Sequence, residues 1–200
     1  MLSARRTGAT FQFTLLPTGP GEPRPLPRGE LNFQSAGWFP DGKRILIAAN
    51  KQGHGSQLFI QDIPDGKPRP ITPEGVHTRF NPVSPDGKSV VATGSDGKLD
   101  IYPVEPGEPR AVPGADSADV MLRWAADGSS IFVYKPSLPP LRVEKLDIRT
   151  GQRTLWKEIR PADPSGVDQV GPIHIAPDDA SYVYSYRRGL DELYLATGLR

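Results

Sequence analysis

The sequence predicts an all-β fold, a β-propeller of four-stranded antiparallel blades present as a partial, open ring. Three observations carry this reading. Gly 21 and Pro 23 among 200 residues leave little room for long helices, because both residues interrupt them. A Pro-Asp-Gly turn recurs with its surroundings four times along the chain. Each copy stands between a bulky apolar residue and a short apolar burst, and further apolar segments follow before the next copy. Together these features argue against a helical bundle, a coiled coil or a doubly wound α/β domain.

The repeats begin at Phe39-Pro40-Asp41-Gly42-Lys43 and return as Ser84-Pro85-Asp86-Gly87-Lys88. Degraded copies follow at Ala125-Ala126-Asp127-Gly128-Ser129 and Ala176-Pro177-Asp178-Asp179-Ala180. The four aspartates are 45, 41 and 51 residues apart, the period of one propeller blade. Three positions before each Asp stands Trp38, Val83, Trp124 or Ile175, and Ile45-Leu46-Ile47, Val90-Val91, Ile131-Phe132-Val133 and Tyr182-Val183-Tyr184 follow the turns. Proline presets the turn's φ and glycine takes the positive-φ position, so each motif predicts a hairpin closed by a glycine bulge. Asp179, standing for glycine, tolerates the left-handed region better than most residues.

Two more strands follow each of the first three hairpins. Residues 57–63 and 68–71 continue the first, 99–104 and 109–112 the second, and 142–148 and 153–159 the third. The alternation Leu99-Asp100-Ile101-Tyr102 marks a half-buried strand. Blades are thus expected at about 31–72, 77–113 and 118–160, within one domain over 1–200. Incomplete blades are expected at 9–27, with strands at 11–16 and 23–26, and at 168–196, ending in a strand at 190–195. An open β-sandwich is the competing architecture. Closure at four blades, with 23–26 completing the last, is the alternative to a truncated ring. An open arc predicts exposed apolar blade faces and concentration-dependent association.

Charge points to no partner class. Lys+Arg 24 against Asp+Glu 23 leaves a net +1, and adjacent arginines occur at Arg5-Arg6 and Arg187-Arg188 without a basic stripe, so nucleic acid is not expected as a partner. With Cys 0 there is no disulfide scaffold, thiolate nucleophile or cysteine-ligated metal. No run approaches the roughly 18 apolar residues of a membrane helix, so direct membrane insertion is not expected. Met1-Leu2-Ser3-Ala4-Arg5-Arg6 could serve as a basic leader, but the segment after it reads as a strand, and no export signal is expected.

The candidate chemistry is thin. Gly87-Lys88-Ser89 lacks the glycine a phosphate loop needs, since position 82 is Pro. No Gly-x-Ser-x-Gly elbow occurs. His54, His77 and His174 fall in separate repeats without metal-ligand spacing, and Asp163, Asp168, Asp178 and Asp179 lack a calcium-loop pattern. Trp38 and Trp124, at repeat-matched positions, read as inter-blade core. No catalytic residue, metal or cofactor is therefore expected. Pro40, Asp41, Gly42, Pro85, Asp86, Gly87, Asp127, Gly128, Pro177 and Asp178 are assigned to the turns. What varies between repeats is the opposite loops, 50–56, 74–77, 94–98, 114–119, 135–141 and 161–169. Varied loops on a repeated scaffold are where binding specificity resides, which makes Lys51, His54, His77, Asp96 and Lys135 candidate contacts for a protein or small ligand.

The hairpins Trp38-Phe39-Pro40-Asp41-Gly42-Lys43 and Val83-Ser84-Pro85-Asp86-Gly87-Lys88 resemble the Trp-Ser-Pro-Asp-Gly-Lys repeats of bacterial TolB-type (WD40-like) propellers over about residues 9–196. The tail from Ser181 to Arg200 is similar to the end of some bacterial Ser/Thr kinases that pair an N-terminal kinase domain with a C-terminal propeller. That resemblance implies a sensor or docking half with an upstream domain, and it brings no kinase motif with it. It implies an extracytoplasmic location if the kinase spans a membrane, and a cytoplasmic one otherwise. Two alternatives stand beside it: the gating propeller of a prolyl-oligopeptidase-like hydrolase, and a TolB-like envelope domain that binds proteins.

Overall fold

The computed structural model describes residues 1–8, 10–78 and 82–189, and its regular elements are all β-strands. They form five antiparallel sheets in chain order. The first holds β1 (Leu2–Thr7), β2 (Thr10–Leu15) and β3 (Arg24–Pro25), and the second β4 (Asn32–Trp38), β5 (Arg44–Asn50), β6 (Gln57–Asp62) and β7 (Arg69–Pro70). The third holds β8 (Ser89–Thr93), β9 (Leu99–Pro103) and β10 (Arg110–Ala111). Its inner position is marked by two isolated bridges, His77 with Thr93 and Val83 with Val90. The fourth holds β11 (Val120–Trp124), β12 (Ser130–Tyr134), β13 (Leu141–Asp147) and β14 (Arg153–Ile159), and the fifth β15 (Val167–Ile175) and β16 (Tyr182–Arg188). The strand expected at 190–195 lies outside the described residues.

All four repeat motifs form the same hairpin. The residue two before each aspartate, Phe39, Ser84, Ala125 or Ala176, accepts a bond from the amide three positions on and donates its own amide to Arg44, Ser89, Ser130 or Ser181. The fourth turn position has φ of 65° at Gly42, 67° at Gly87, 71° at Gly128 and 56° at Asp179. Asp179 also gains a function from its side chain: Oδ2 accepts the amide of Ala126 at 2.9 Å, tying the fourth hairpin to the third. Each turn aspartate accepts the amide two residues on, from Lys43, Lys88, Ser129 or Ala180, at 2.8–3.0 Å.

Because every inner sheet packs on a neighbour at both faces, its strands are apolar on both sides. Ile45, Leu46, Ile47, Ala48 and Ala49 are all buried. Ile45, Ile47 and Ala49 join Phe13 and Phe33 between the first two sheets, whereas Leu46 and Ala48 join Val90 and Tyr102 between the second and third. Val91, Ile101, Trp124 and Ile131 fill the third interface; Phe132, Val143, Ile173 and Ile175 fill the fourth. Each such Val, Leu, Ile or Phe side chain contributes about 1.5–3 kcal/mol by its burial. Among the described residues no core cluster joins the first sheet to the fifth.

The first sheet departs from expectation in two ways. It begins at Leu2, so the arginine-bearing start of the chain is a strand, paired Leu2 with Leu15 through Arg6 with Phe11. Its free face is also polar rather than apolar. Arg24 pairs with Leu15 as Arg69 pairs with Ile60 and Arg110 with Ile101, which aligns β1 with β5 and β8, the second strands of their blades. In that register Ser3 and Arg5 stand where the second blade has Ile47 and Ala49, and Thr14 where it has Phe59. The described residues hold no inner strand for this first blade.

Candidate functional site

The loops opposite the hairpins lie in a row along one rim, stitched to each other across blade boundaries. Glu74, on the connection from second to third blade, takes His54 Nδ1 at 2.8 Å and the Gly55 amide at 3.2 Å. The His54 bond, then the amide, holds its carboxyl below the usual range, and Lys51 adds a longer-range attraction. A Cβ on Gly75 would stand 3.1 Å from Ser95, so the same connection packs on the next loop. There Asp96 accepts the Lys98 amide at 3.0 Å, a turn bond. Lys135 pairs with Asp116 at 3.0 Å.

The five candidate residues are all exposed on this rim but do not form one constellation. Lys51 and His54 gather about Glu74. His77 exchanges backbone bonds with Thr93 and borders a cavity of about 200 Å3 with Ser117 and Asp119. Lys135 borders a larger cleft of about 520 Å3 with Asp116, Arg142, Glu144 and Arg153.

That larger cleft has a buried frame which the sequence reading misses. The Asp119 carboxylate is 0% exposed and is clasped by both terminal nitrogens of Arg153. It also accepts the Asp116 amide at 2.6 Å. Arg153 further donates to the Gly114 carbonyl at 2.9 and 3.2 Å and to Glu144 at 3.0 Å. Asp119 above all, then Glu144, holds this guanidinium's pKa above its usual range. A planar, forked donor between two carboxylates and a carbonyl fixes the 114–119 connection. Arg142, exposed at the mouth, has no bonded partner among the described residues. The cleft therefore presents the exposed Arg142 beside the half-exposed Lys135, an arrangement that suits a carboxylate or another anionic group.

A signal for these arginines was present in the sequence. Gly21-Glu22-Pro23-Arg24, Gly66-Lys67-Pro68-Arg69 and Gly107-Glu108-Pro109-Arg110 are a second repeat motif, and Gly151-Gln152-Arg153 is its fourth, proline-free form. Arg69 and Arg110 reach the next blade, at the Val104 and Ile148 carbonyls; Arg153 turns back onto the preceding connection instead. On the hairpin face, Pro40, Pro85, Ala126 and Pro177 converge with Trp38 and Trp124 on an opening of about 390 Å3. Among the described residues, no three His, Asp or Glu side chains come together as a metal site.

No protein-family model matches the chain. The structure is similar to that of TolB from Acinetobacter baumannii, with a TM-score of 0.69, 17% identity, and coverage of 94% of this chain and 47% of that one. The fold is a TolB-type β-propeller. The structure is also similar to that of oligogalacturonate lyase from Vibrio parahaemolyticus (TM-score 0.59, 15% identity, 96% and 54% of the two chains). It is similar, too, to that of a prolyl endopeptidase (TM-score 0.54, 14% identity, 79% and 29%). In sequence, 91 residues, 44% of the chain, are 32% identical to a Bacillus subtilis protein named Uncharacterized peptidase YuxL, of which they make up 14%. The chain thus spans a small part of that relative and about half of the TolB. Such varied company fits a propeller as a scaffold whose function depends on its surface.

Proposed function

We propose that this chain is a non-catalytic binding module, a propeller whose loop rim docks a protein or small ligand through an anionic group. The supporting observation is the cleft held by Arg153 and Asp119, with Arg142 unpaired at its mouth. A rigid frame lowers the ordering cost of binding, and an exposed guanidinium supplies directional donors to a carboxylate. The test is selection of peptide ligands from a random library on the immobilised chain. Selected sequences should be rich in Asp and Glu, and Lys135→Glu combined with Arg142→Glu should abolish their binding, while Lys88→Ala on the hairpin face should not. Ligands indifferent to the double variant would overturn the reading.

The finer assignment is to the sensor or docking half of a bacterial Ser/Thr kinase, supported by the resemblance of the tail from Ser181 to Arg200. A second reading, the gating propeller of a prolyl-oligopeptidase-like hydrolase, is favoured by the 91-residue match to a peptidase and the likeness to a prolyl endopeptidase. The coding sequence flanking Met1 and Arg200 discriminates between them. A Gly-rich loop and a His-Arg-Asp catalytic loop upstream support the kinase, and a Gly-x-Ser-x-Gly elbow downstream supports the hydrolase.

A further inference from the structure

The cavity beside His77 and the cleft of Lys135 and Arg142 adjoin each other. Both open between the third and fourth sheets, each of which packs on a neighbouring sheet at both faces. The turn 116–119 separates them, with Asp116 on the cleft and Ser117 and Ala118 on the cavity. The loop after β12 divides in the same way, Lys135 to the cleft and Pro136 to the cavity. The dividing turn is held in place. Asp116 accepts the Ala118 amide at 2.8 Å and its carbonyl takes the Asp119 amide at 3.0 Å, while Arg153 clasps the Asp119 carboxylate. The cavity has an apolar floor of Val91, Leu99 and Met121, 0%, 2% and 8% exposed. Its mouth carries the His77 ring and the Thr93 and Ser117 hydroxyls, which make no side-chain hydrogen bond among the described residues. Size decides what it takes. About 150 Å3 holds a benzene, and sites for drug-sized ligands start near 300 Å3. A volume of about 200 Å3 therefore matches one Leu, Met or Phe side chain.

We propose that the two hollows form one docking site for a peptide segment of a partner protein, in which a large apolar residue stands within about three positions of a carboxylate. The apolar side chain enters the cavity against Met121, and the carboxylate meets Arg142 and Lys135 in the cleft. The inference rests on the anionic reading of that cleft and adds a second determinant to it. Neighbouring residues, Asp116 with Ser117 and Lys135 with Pro136, line different hollows, so the two groups are bridged by a short stretch of backbone. His77, Thr93 and Ser117 offer that backbone donors and acceptors at the crossing. The unbranched, polarisable chain of Met121 adapts the floor to Leu, Met or Phe alike. A wall fixed before binding keeps the ordering cost low.

The chain supplies its own reporter. Its two methionines are Met1 and Met121, so isotopic labelling of the methionine methyls gives the cavity floor an NMR signal of its own. The probes are end-capped Gly-Ser peptides carrying one Asp and one Leu, one to three positions apart and in both orders. At least one spacing should shift the Met121 methyl saturably and leave the Met1 methyl unmoved. Replacing Leu by Ala in that peptide should weaken binding about tenfold or more, and Asp by Asn about fivefold. Ala118→Trp and Ser117→Phe, exposed positions on the cavity wall, should each abolish the Met121 response with the far-UV circular dichroism unchanged. If the Leu and Ala peptides bind equally and Lys135→Glu with Arg142→Glu abolishes both, the cleft keeps its anionic reading and the joint site is overturned. If the Asp and Asn peptides bind equally, the anionic reading fails and the joint site with it. A Met121 methyl silent to the whole set, or a response that survives both wall variants, overturns the joint site.

Discussion

Asp41, Asp86, Asp127 and Asp178 do the same work at four places, and their ionisation carries a common signature. The carboxyls lie below their usual range because of the Lys43 amide at Asp41, the Ser84 hydroxyl and Lys88 amide at Asp86, the Ser129 amide at Asp127 and the Ser181 amide at Asp178. A carboxyl depressed in the folded state adds stability above its unfolded pKa of about 3.9, and that stability is lost as pH falls through the folded value. Urea midpoints should therefore fall below about pH 4, and Asp86→Asn should flatten part of that slope; an unchanged slope would contradict the turn role. At Gly87 the constraint is conformational. Its φ of 67° disfavours a β-branched residue, and an added Cβ would stand 3.2 Å from Arg44 Nη2. Gly87→Val should cost about 1–3 kcal/mol, and Lys88→Ala, at an exposed side chain, close to nothing. Equal and small effects in urea unfolding would remove the bulged hairpin from the account.

Between elements, arginine holds the blades in register. Arg69 and Arg110 each add one bond to a carbonyl of the next blade, about 1 kcal/mol apiece. Arg153 is of another order, because removing it strands a carboxylate that has no contact with water. Arg153→Ala should destabilise by about 3–5 kcal/mol, and Asp119→Asn in the same chain should restore a substantial part by removing the buried charge. Thermal unfolding of the two single variants and the double variant measures this as a coupling. Strict additivity would show that the clasp does not exist in solution. The same experiment bears on the loop-rim cleft, since the clasp fixes the connection that forms one of its walls.

For the whole molecule, the decisive feature is where the apolar surfaces stop. Strands of the interior sheets such as β5 bury both faces, but the free face of the first sheet carries Ser3, Arg5, Gln12 and Thr14. On the fifth, His174 and Ser185 accompany Val183, which is 62% exposed. A polar sheet face gains less from stacking on another molecule than an apolar one does. Ser3→Leu combined with Thr14→Leu should therefore raise the light-scattering mass with concentration relative to the unaltered chain. If the two chains scatter alike at every concentration, the polarity of that face is not what keeps it apart from its neighbours.

Much of the architecture is written locally. Proline, aspartate and glycine set the four hairpins, and apolar bursts on either side of them set the succession of blades, because turn geometry and side-chain alternation depend on neighbours a few residues away. The strand at Leu2–Thr7 escapes this reading, since Ser3, Arg5 and Arg6 interrupt any apolar pattern; only its pairing with β2 reveals it. The rim loops were legible as the variable part of each repeat, and Lys135 was found with them, but the clasp around it was not. Arg153 and Asp119 are 34 residues apart, and the curvature that brings one blade's outer strand onto the connection before it has no local signature. Trp38 and Trp124 make the same point from identical sequence positions. One is sealed against the preceding blade's inner segment and the other is left half-open, because burial depends on what the neighbouring blade provides. The sequence by itself determined the turns and the repeat; the stacking of the sheets decided which of the repeated side chains are core and which are free to bind.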